Sequence, residues 1–166
     1  MSSCGGSRNG LWYPCLPKEH RNGETMTGSK YGKHVIHGPF KTIGHYTGPS
    51  IVAHDGEFGA DISIGYHCLA DTRFKAEHPH FHQFHELLCF VGGDPTNIQD
   101  FDAEIELAIG EEQEIHVITS PTVVSLPPGL VHCPLIVKRV GKPLVFLEIS
   151  MVKKWDKTMI SLPSKE

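Results

Sequence analysis

An all-β sandwich or barrel is the fold class this sequence predicts, and three observations carry the prediction. Short runs of β-branched and aromatic residues recur along the chain, each closed by Gly, Pro, Asp or Asn. No stretch of ten or more residues sustains a 3.6-residue apolar period, and only the C-terminal SMVKKWDKTMI hints at one. The 166 residues, 39% of them hydrophobic, make one well-buried core and fall short of two ordinary domains.

Taken in order, residues 1–30 are rich in Gly, Ser, Asn and Pro without periodicity and predict an irregular N-terminal arm, in which the apolar patch LWYPCLP is a docking element for the body or a partner chain. Residues 31–152 hold the strand-like runs KHVIHG, PSIVAHDG, ADISIGYHCLAD, ELLCFVGGDP, AEIELAIGEE, EIHVITSP, TVVSLPPG, CPLIVKRVGKP and PLVFLEIS, and are read as a barrel. Residues 153–166 are read as a tail. The connection GGDPTNIQDFD, residues 92–102, is long for a plain loop and is either a lid or a surface excursion.

Composition narrows the function. The net charge is −4 and no basic cluster exceeds two residues, which argues against nucleic-acid and anionic-membrane partners. Five scattered cysteines without a CxxC pair fit free thiols in a reducing compartment. The first residues lack the apolar core of a signal peptide, and no apolar run approaches the roughly 18 residues that span a bilayer. A cytoplasmic protein is the expectation.

The chemistry concentrates in HPHFHQFHE, residues 78–86, with four histidines and a glutamate in nine positions. His78, His80, His82 and Glu86 share a parity that His85 lacks, so on a strand the even set faces one way and His85 the other. His80 and His82 then lie about 6.6 Å apart along one face. Glu86 opens the next strand, and a bend in QFH returns its carboxylate to the same centre. Pro79 marks a strand entrance, which leaves His78 outside the ligand set. A further ligand must come from elsewhere, and PPGLVHCP offers His132 just after a rigid Pro-Pro-Gly turn. Neutral imidazoles with a carboxylate suit a divalent transition metal, Fe(II) first, with Mn, Ni, Co or Zn also accepted. Three ordinary imidazoles would lose such an ion together below about pH 6.5.

His80-x-His82-x-x-x-Glu86 with Gly93 beyond it, and Pro127-x-Gly129-x-x-His132 downstream, resemble the two conserved motifs of the cupin superfamily over residues 60–150. The motif positions that differ, Phe74, Pro121 and Ile136, are not ligand positions. The resemblance implies a jelly-roll β-barrel with His80, His82, Glu86 and His132 as metal ligands, and a homodimer in which the arm is an exchange element.

Around that centre, Phe84, Leu88 and Phe90 have the parity to wall an apolar cavity, and Cys133, following a ligand, is expected to point away. Glu148 interrupts the apolar run PLVFLEIS, where an inward carboxylate is costly unless it is paired or used. With Phe146 and Glu148 inward, Glu148 is the proton-transfer candidate, and Tyr66 is the alternative. His67, like His20, His34, His37, His45, His54 and His116, shares no spacing with the cluster and reads as an ordinary polar position, with a place near the pocket as the alternative. The function expected is a metal-dependent enzyme acting on a small polar organic molecule, foremost an Fe(II) dioxygenase. The alternatives are a non-oxidative isomerase, decarboxylase or lyase, and a non-catalytic small-ligand binding or sensing module.

Overall fold

A computed structural model of the chain describes residues 30, 31, 34, 35, 40, 41, 48, 50–53 and 56–162. The chain divides into two compact units, Met1–Gly38 and Pro39–Glu166. In the first, the His34 amide donates to the Tyr31 carbonyl at 2.9 Å, and the Lys30 ammonium stands 5.0 Å from the Tyr31 ring centre. Apart from Lys30, the arm expected over 1–30 lies outside the described residues, as does most of the run KHVIHG.

The second unit is built of antiparallel strands: β1 (Phe40–Lys41), β2 (Ser50–Ala53), β3 (Ser63–Leu69), β4 (Lys75–Ala76), β5 (His80–Phe81), β6 (Glu86–Gly92), β7 (Ala103–Ile109), β8 (Glu114–Ile118), β9 (Thr122–Leu126), β10 (His132–Val140), β11 (Leu144–Ser150) and β12 (Thr158–Met159). They form two sheets, ordered β1-β2-β3-β11-β6-β9 and β12-β5-β10-β7-β8, with β4 also pairing to β10. The expected all-β class is the observed one. The runs from PSIVAHDG to PLVFLEIS become β2, β3 and β6–β11.

Alternation does the sorting. Along β3 and β6 every second residue is buried, so one face of each strand reads Ser63, Gly65, His67, Leu69 and Glu86, Leu88, Phe90, Gly92. On β11, Phe146 sits opposite Phe90 on one side and His67 on the other. The Phe90 and Phe146 rings stack at 4.7 Å between centres, 10° from parallel. They join Leu69, Leu88 and Leu144 from this sheet to Ile105, Leu107, Leu135 and Val137 from the other in one core. Burying each such side chain stabilises the fold by on the order of 2 kcal/mol. The inward face then turns polar in register: Leu88 and Glu86 follow Phe90 on β6, Glu148 and Ser150 follow Phe146 on β11, and His67 follows Leu69 on β3.

Two expectations change. SMVKKWDKTMI does not form a helix; it runs through bends into β12, which pairs with β5 so that Thr158 faces Phe81 and Met159 faces His80. Its backbone groups find tertiary partners instead: the Met151 amide donates to the His85 carbonyl at 2.9 Å and the Ile160 amide to the Pro79 carbonyl at 3.1 Å. Of the segment read as a tail from residue 153, Thr158–Met159 joins the sheet. The connection 92–102 is a pinned surface excursion: Asp100 pairs with Lys142 at 2.6 Å, Asp102 pairs with Arg139, and the Gly92 amide donates to the Ile98 carbonyl. No helix among the described residues is long and apolar enough to cross a membrane.

Candidate metal centre

Two strands and one bend bring the histidines together. His80 on β5 lies directly across from His132 at the start of β10, and their ring centres are 4.4 Å apart. His82 follows in the bend toward β6, with its ring centre 5.1 Å from each of the other two. All three are almost wholly buried, and one ring nitrogen from each lies within 4.8 Å of the others.

What aims them is a set of backbone carbonyls. His80 Nδ1 donates to the carbonyl of His78 at 2.9 Å, His82 Nδ1 to that of Asp156 at 2.6 Å, and His132 Nδ1 to that of Leu130 at 3.0 Å. A carbonyl only accepts, so each Nδ1 carries the hydrogen and each Nε2 presents its lone pair. His78 thus acts through its main chain, with its own imidazole exposed. His85 faces outward and hydrogen-bonds Ser125 Oγ at 2.7 Å.

Glu86 arrives from the other sheet at the head of β6. Its Oε2 lies 3.2 Å from His82 Nε2 and 3.6 Å from His132 Nε2, while Oε1 accepts from Ser150 Oγ at 2.8 Å and Trp155 Nε1 at 3.2 Å. The approach to His82 is an ion-pair distance and not a hydrogen bond: His82 Nε2 is buried without a hydrogen-bond partner among the described residues. Ligand atoms about 2.1 Å from an ion stand about 3.0–3.4 Å from one another; the Glu86–His82 separation falls in that range, the histidine nitrogens lie within 4.8 Å of one another, and an ion among them would satisfy the orphaned nitrogen.

The protonation pattern agrees. Burial pulls the His80 imidazole down to about 4, against the opposing pull of the His78 carbonyl. Burial also lowers His132. On His82 burial acts downward too, but the Glu86 carboxylate and the Asp156 carbonyl outweigh it and leave the group raised. Burial acts upward on Glu86, and His82, Ser150 and Trp155 together hold the carboxyl below its usual range. Burial thus favours the neutral form of His80 and His132, whereas the Glu86 carboxylate beside His82 favours its protonated form.

The site opens into a cavity of about 290 Å³ whose walls include Val52, Phe74, Ala76, Leu88, Leu135 and Phe146. Of the expected wall residues only Leu88 lines it. Phe84 instead stacks on the His82 ring, 4.8 Å away, and Phe90 belongs to the core. Cys133 lines the cavity, contrary to the alternation expected of a strand. The reason is local: its φ is +70°, and the β10–β7 register shifts between His132 and Leu135, so consecutive residues are both buried. Burial, then Glu148 and Glu86, push its thiol up to about 12, so it stays protonated.

Glu148 faces the cavity as expected, with 28% of its side chain exposed. Tyr66 is placed on the opposite face of β3, away from the cavity, because its parity is that of Ile64 and Cys68. His67 lines the cavity in its place. Trp155 and Lys157, from the segment read as a tail, complete the wall. The signal for His67 was present in the alternation of SIGYHCL; nothing local announced Trp155 or Lys157.

Two antiparallel sheets enclosing an inward histidine triad are consistent with a cupin-like β-sandwich or barrel. Comparison with known proteins agrees on the fold. The oxalate decarboxylase of Lactobacillus farciminis, solved as a formate complex, matches over 73% of this chain and 33% of its own, with 16% identity and a TM-score of 0.50. The polyketide cyclase RemF from Streptomyces resistomycificus matches over 69% of this chain and 72% of its own, with 15% identity and a TM-score of 0.48. An oxalate decarboxylase mutant from Bacillus subtilis matches over 68% and 28%, with 16% identity and a TM-score of 0.47. The chain thus spans about a third or less of each decarboxylase. No family model and no curated protein sequence matches it.

Proposed function

We propose that this chain is a metal-dependent enzyme acting on a small organic molecule, with a divalent ion held by His80, His82, His132 and Glu86. One observation carries the reading: three buried imidazoles, each locked by a backbone carbonyl at Nδ1, turn their Nε2 atoms toward one point beside a cavity of about 290 Å³. An ion there would polarise the substrate's oxygen atoms and, as Fe(II), would also admit dioxygen chemistry. The protein's own part is to hold the ligands, keep the site dry with apolar walls, and orient what enters.

Dioxygenation is the first reaction class to test. Protein freed of metal and reloaded with Fe(II) should consume O2 when given acetylacetone, a hydroxyaromatic or a 2-oxo acid, and the Zn(II) form should not. A second reading, non-oxidative isomerisation, decarboxylation or lyase chemistry, is favoured by the presence of Glu148 in the same cavity. Turnover by Zn(II) or Mn(II) forms without oxygen would put it in place of the first. Saturable binding without turnover by any metal form would make the chain a ligand-binding module.

A further inference from the structure

Apart from the triad, the cavity walls hold a second polar group drawn from three strands. His67 on β3 is 1% exposed, and both its nitrogens are engaged: Nδ1 with Ser50 Oγ on β2 at 2.8 Å, and Nε2 with Glu148 Oε2 on β11 at 3.1 Å. Ser50 is likewise 1% exposed. An ionised carboxylate only accepts, so the hydrogen between His67 and Glu148 sits on Nε2. In the neutral imidazole Nδ1 is then an acceptor, and the Ser50 hydroxyl donates to it. The run of hydrogen bonds goes one way, from Ser50 through His67 to Glu148.

Room for it is made by a missing side chain. Gly65 is the register neighbour of Glu148 and stands two residues before His67 on the same face. A Cβ there would meet His67 Nε2 at 2.6 Å and Glu148 Oε2 at 2.9 Å. The contact between imidazole and carboxylate occupies the space any larger residue would need. Glu148 is thereby held toward the cavity.

We infer that Glu148 is the proton-transfer residue of this cavity, with Ser50, His67 and Gly65 as the device that positions it. The inference rests on the metal-centre reading and adds to it the residue that moves a proton. The step balances without an oxidant: a C–H or O–H bond next to a chelating oxygen of the substrate breaks, an O–H bond forms on Glu148, and the electron pair stays on the substrate. Returning the proton to a neighbouring atom completes an isomerisation, and returning it to the same atom leaves only exchange with solvent.

Exchange is therefore the assay. The full chain loaded with Zn(II) is given pyruvate in D2O, and loss of the methyl signal is followed by proton NMR. Wild type should exchange it faster than free zinc does. Glu148→Gln should lower the rate about 100-fold, within the usual range for a general base, and Glu148→Asp should recover part of it. Gly65→Ala should lower it about tenfold with every titratable group still present. A readout independent of turnover comes from nitrogen NMR of metal-free protein. His67 should carry its hydrogen on Nε2 in wild type and lose that preference in Ser50→Ala and Gly65→Ala. Zinc-loaded wild type that exchanges pyruvate no faster than free zinc, or a Glu148→Gln protein as fast as wild type, overturns the inference and leaves the metal centre standing. Failure to hold zinc overturns the metal-centre reading, and the inference falls with it. Should Glu148→Gln not fold, Gly65→Ala decides: an unchanged rate and an unchanged His67 tautomer refute the positioning role.

Discussion

The pH dependence of metal affinity should be shallow for a three-histidine site, and its slope can be worked from the protonation pattern. Protons compete with the ion for imidazole nitrogens, so each ligand that is protonated in the free protein costs a factor of ten in affinity per pH unit. Three imidazoles titrating near 6.5 would together weaken binding about 10⁴-fold between pH 7 and pH 5. Here burial holds His80 near 4, neutral over that whole range, and lowers His132 below an ordinary imidazole. His82, raised by the Glu86 carboxylate against its own burial, is the one ligand whose proton must be displaced. The expected loss is that of one group, at most about 100-fold from pH 7 to pH 5. Zn(II) affinity measured by competition with a chromophoric chelator, at constant ionic strength, gives the slope directly. A slope near one per pH unit supports the assignment of proton positions. A slope approaching three would refute it, since all three imidazoles would then be ordinary bases in the free protein.

Other expectations follow from the same contacts. His80→Ala and His132→Ala should each remove most bound metal, by elemental analysis, while circular dichroism still reports a β protein; His78→Ala and His85→Ala should retain it, because one contributes a carbonyl and the other a hydrogen bond to Ser125. In metal-free protein, His80 takes up its proton near 4 when folded and near 6.5 when unfolded, so it removes stability as pH falls through that window, about 2 kcal/mol at pH 5. Subtracting the urea-unfolding free energies of His80→Gln from those of wild type should isolate that term from the opposite contribution of His82, whose raised group adds stability at low pH that is lost as pH rises. Trp155→Phe removes one donor from Glu86 and should weaken zinc binding about tenfold, read by the same chelator competition. Cys133, 4% exposed with its thiol pushed up to about 12, should resist iodoacetamide at pH 8 in native protein and react once unfolded, as counted by mass spectrometry.

Much of the fold was legible because alternation is a local signal. ELLCFVG and SIGYHCL print their inward and outward faces in the order of their residues, and the shared parity of His80, His82 and Glu86 is the same signal read on ligands. His132 could be found because a rigid turn precedes it. What the sequence hid is what depends on partners far along the chain. Ser50 and Glu148 meet at His67 only because β2 and β11 flank β3, a neighbour relation that no residue of SIGYHCL encodes. Tyr66 was drawn as a candidate by its chemistry although its parity belongs to the outer face. Cys133 misled for the opposite reason: parity failed there, where the strand takes a left-handed step beside His132. The segment after Ser150 carries no period because its order comes from single hydrogen bonds to Pro79, His82 and Glu86 rather than from an apolar stripe.

That last segment sets an order of events in the life of the molecule. Three of the four proposed ligands lean on it: His82 on the Asp156 carbonyl, Glu86 on the Trp155 indole, and His80 through the pairing of β5 with β12. During synthesis the strands that carry Glu86 and His132 emerge from the ribosome and can begin to pair while residues 155–159 are still inside the exit tunnel. At that stage the imidazole of His82 has nothing to fix its tautomer, and the carboxylate of Glu86 lacks one of its donors. An ion captured then would meet a loose, poorly selective set of ligands. The finished geometry exists only once residues 155–159 have docked, so any selectivity among ions by the proposed ligands depends on that docking.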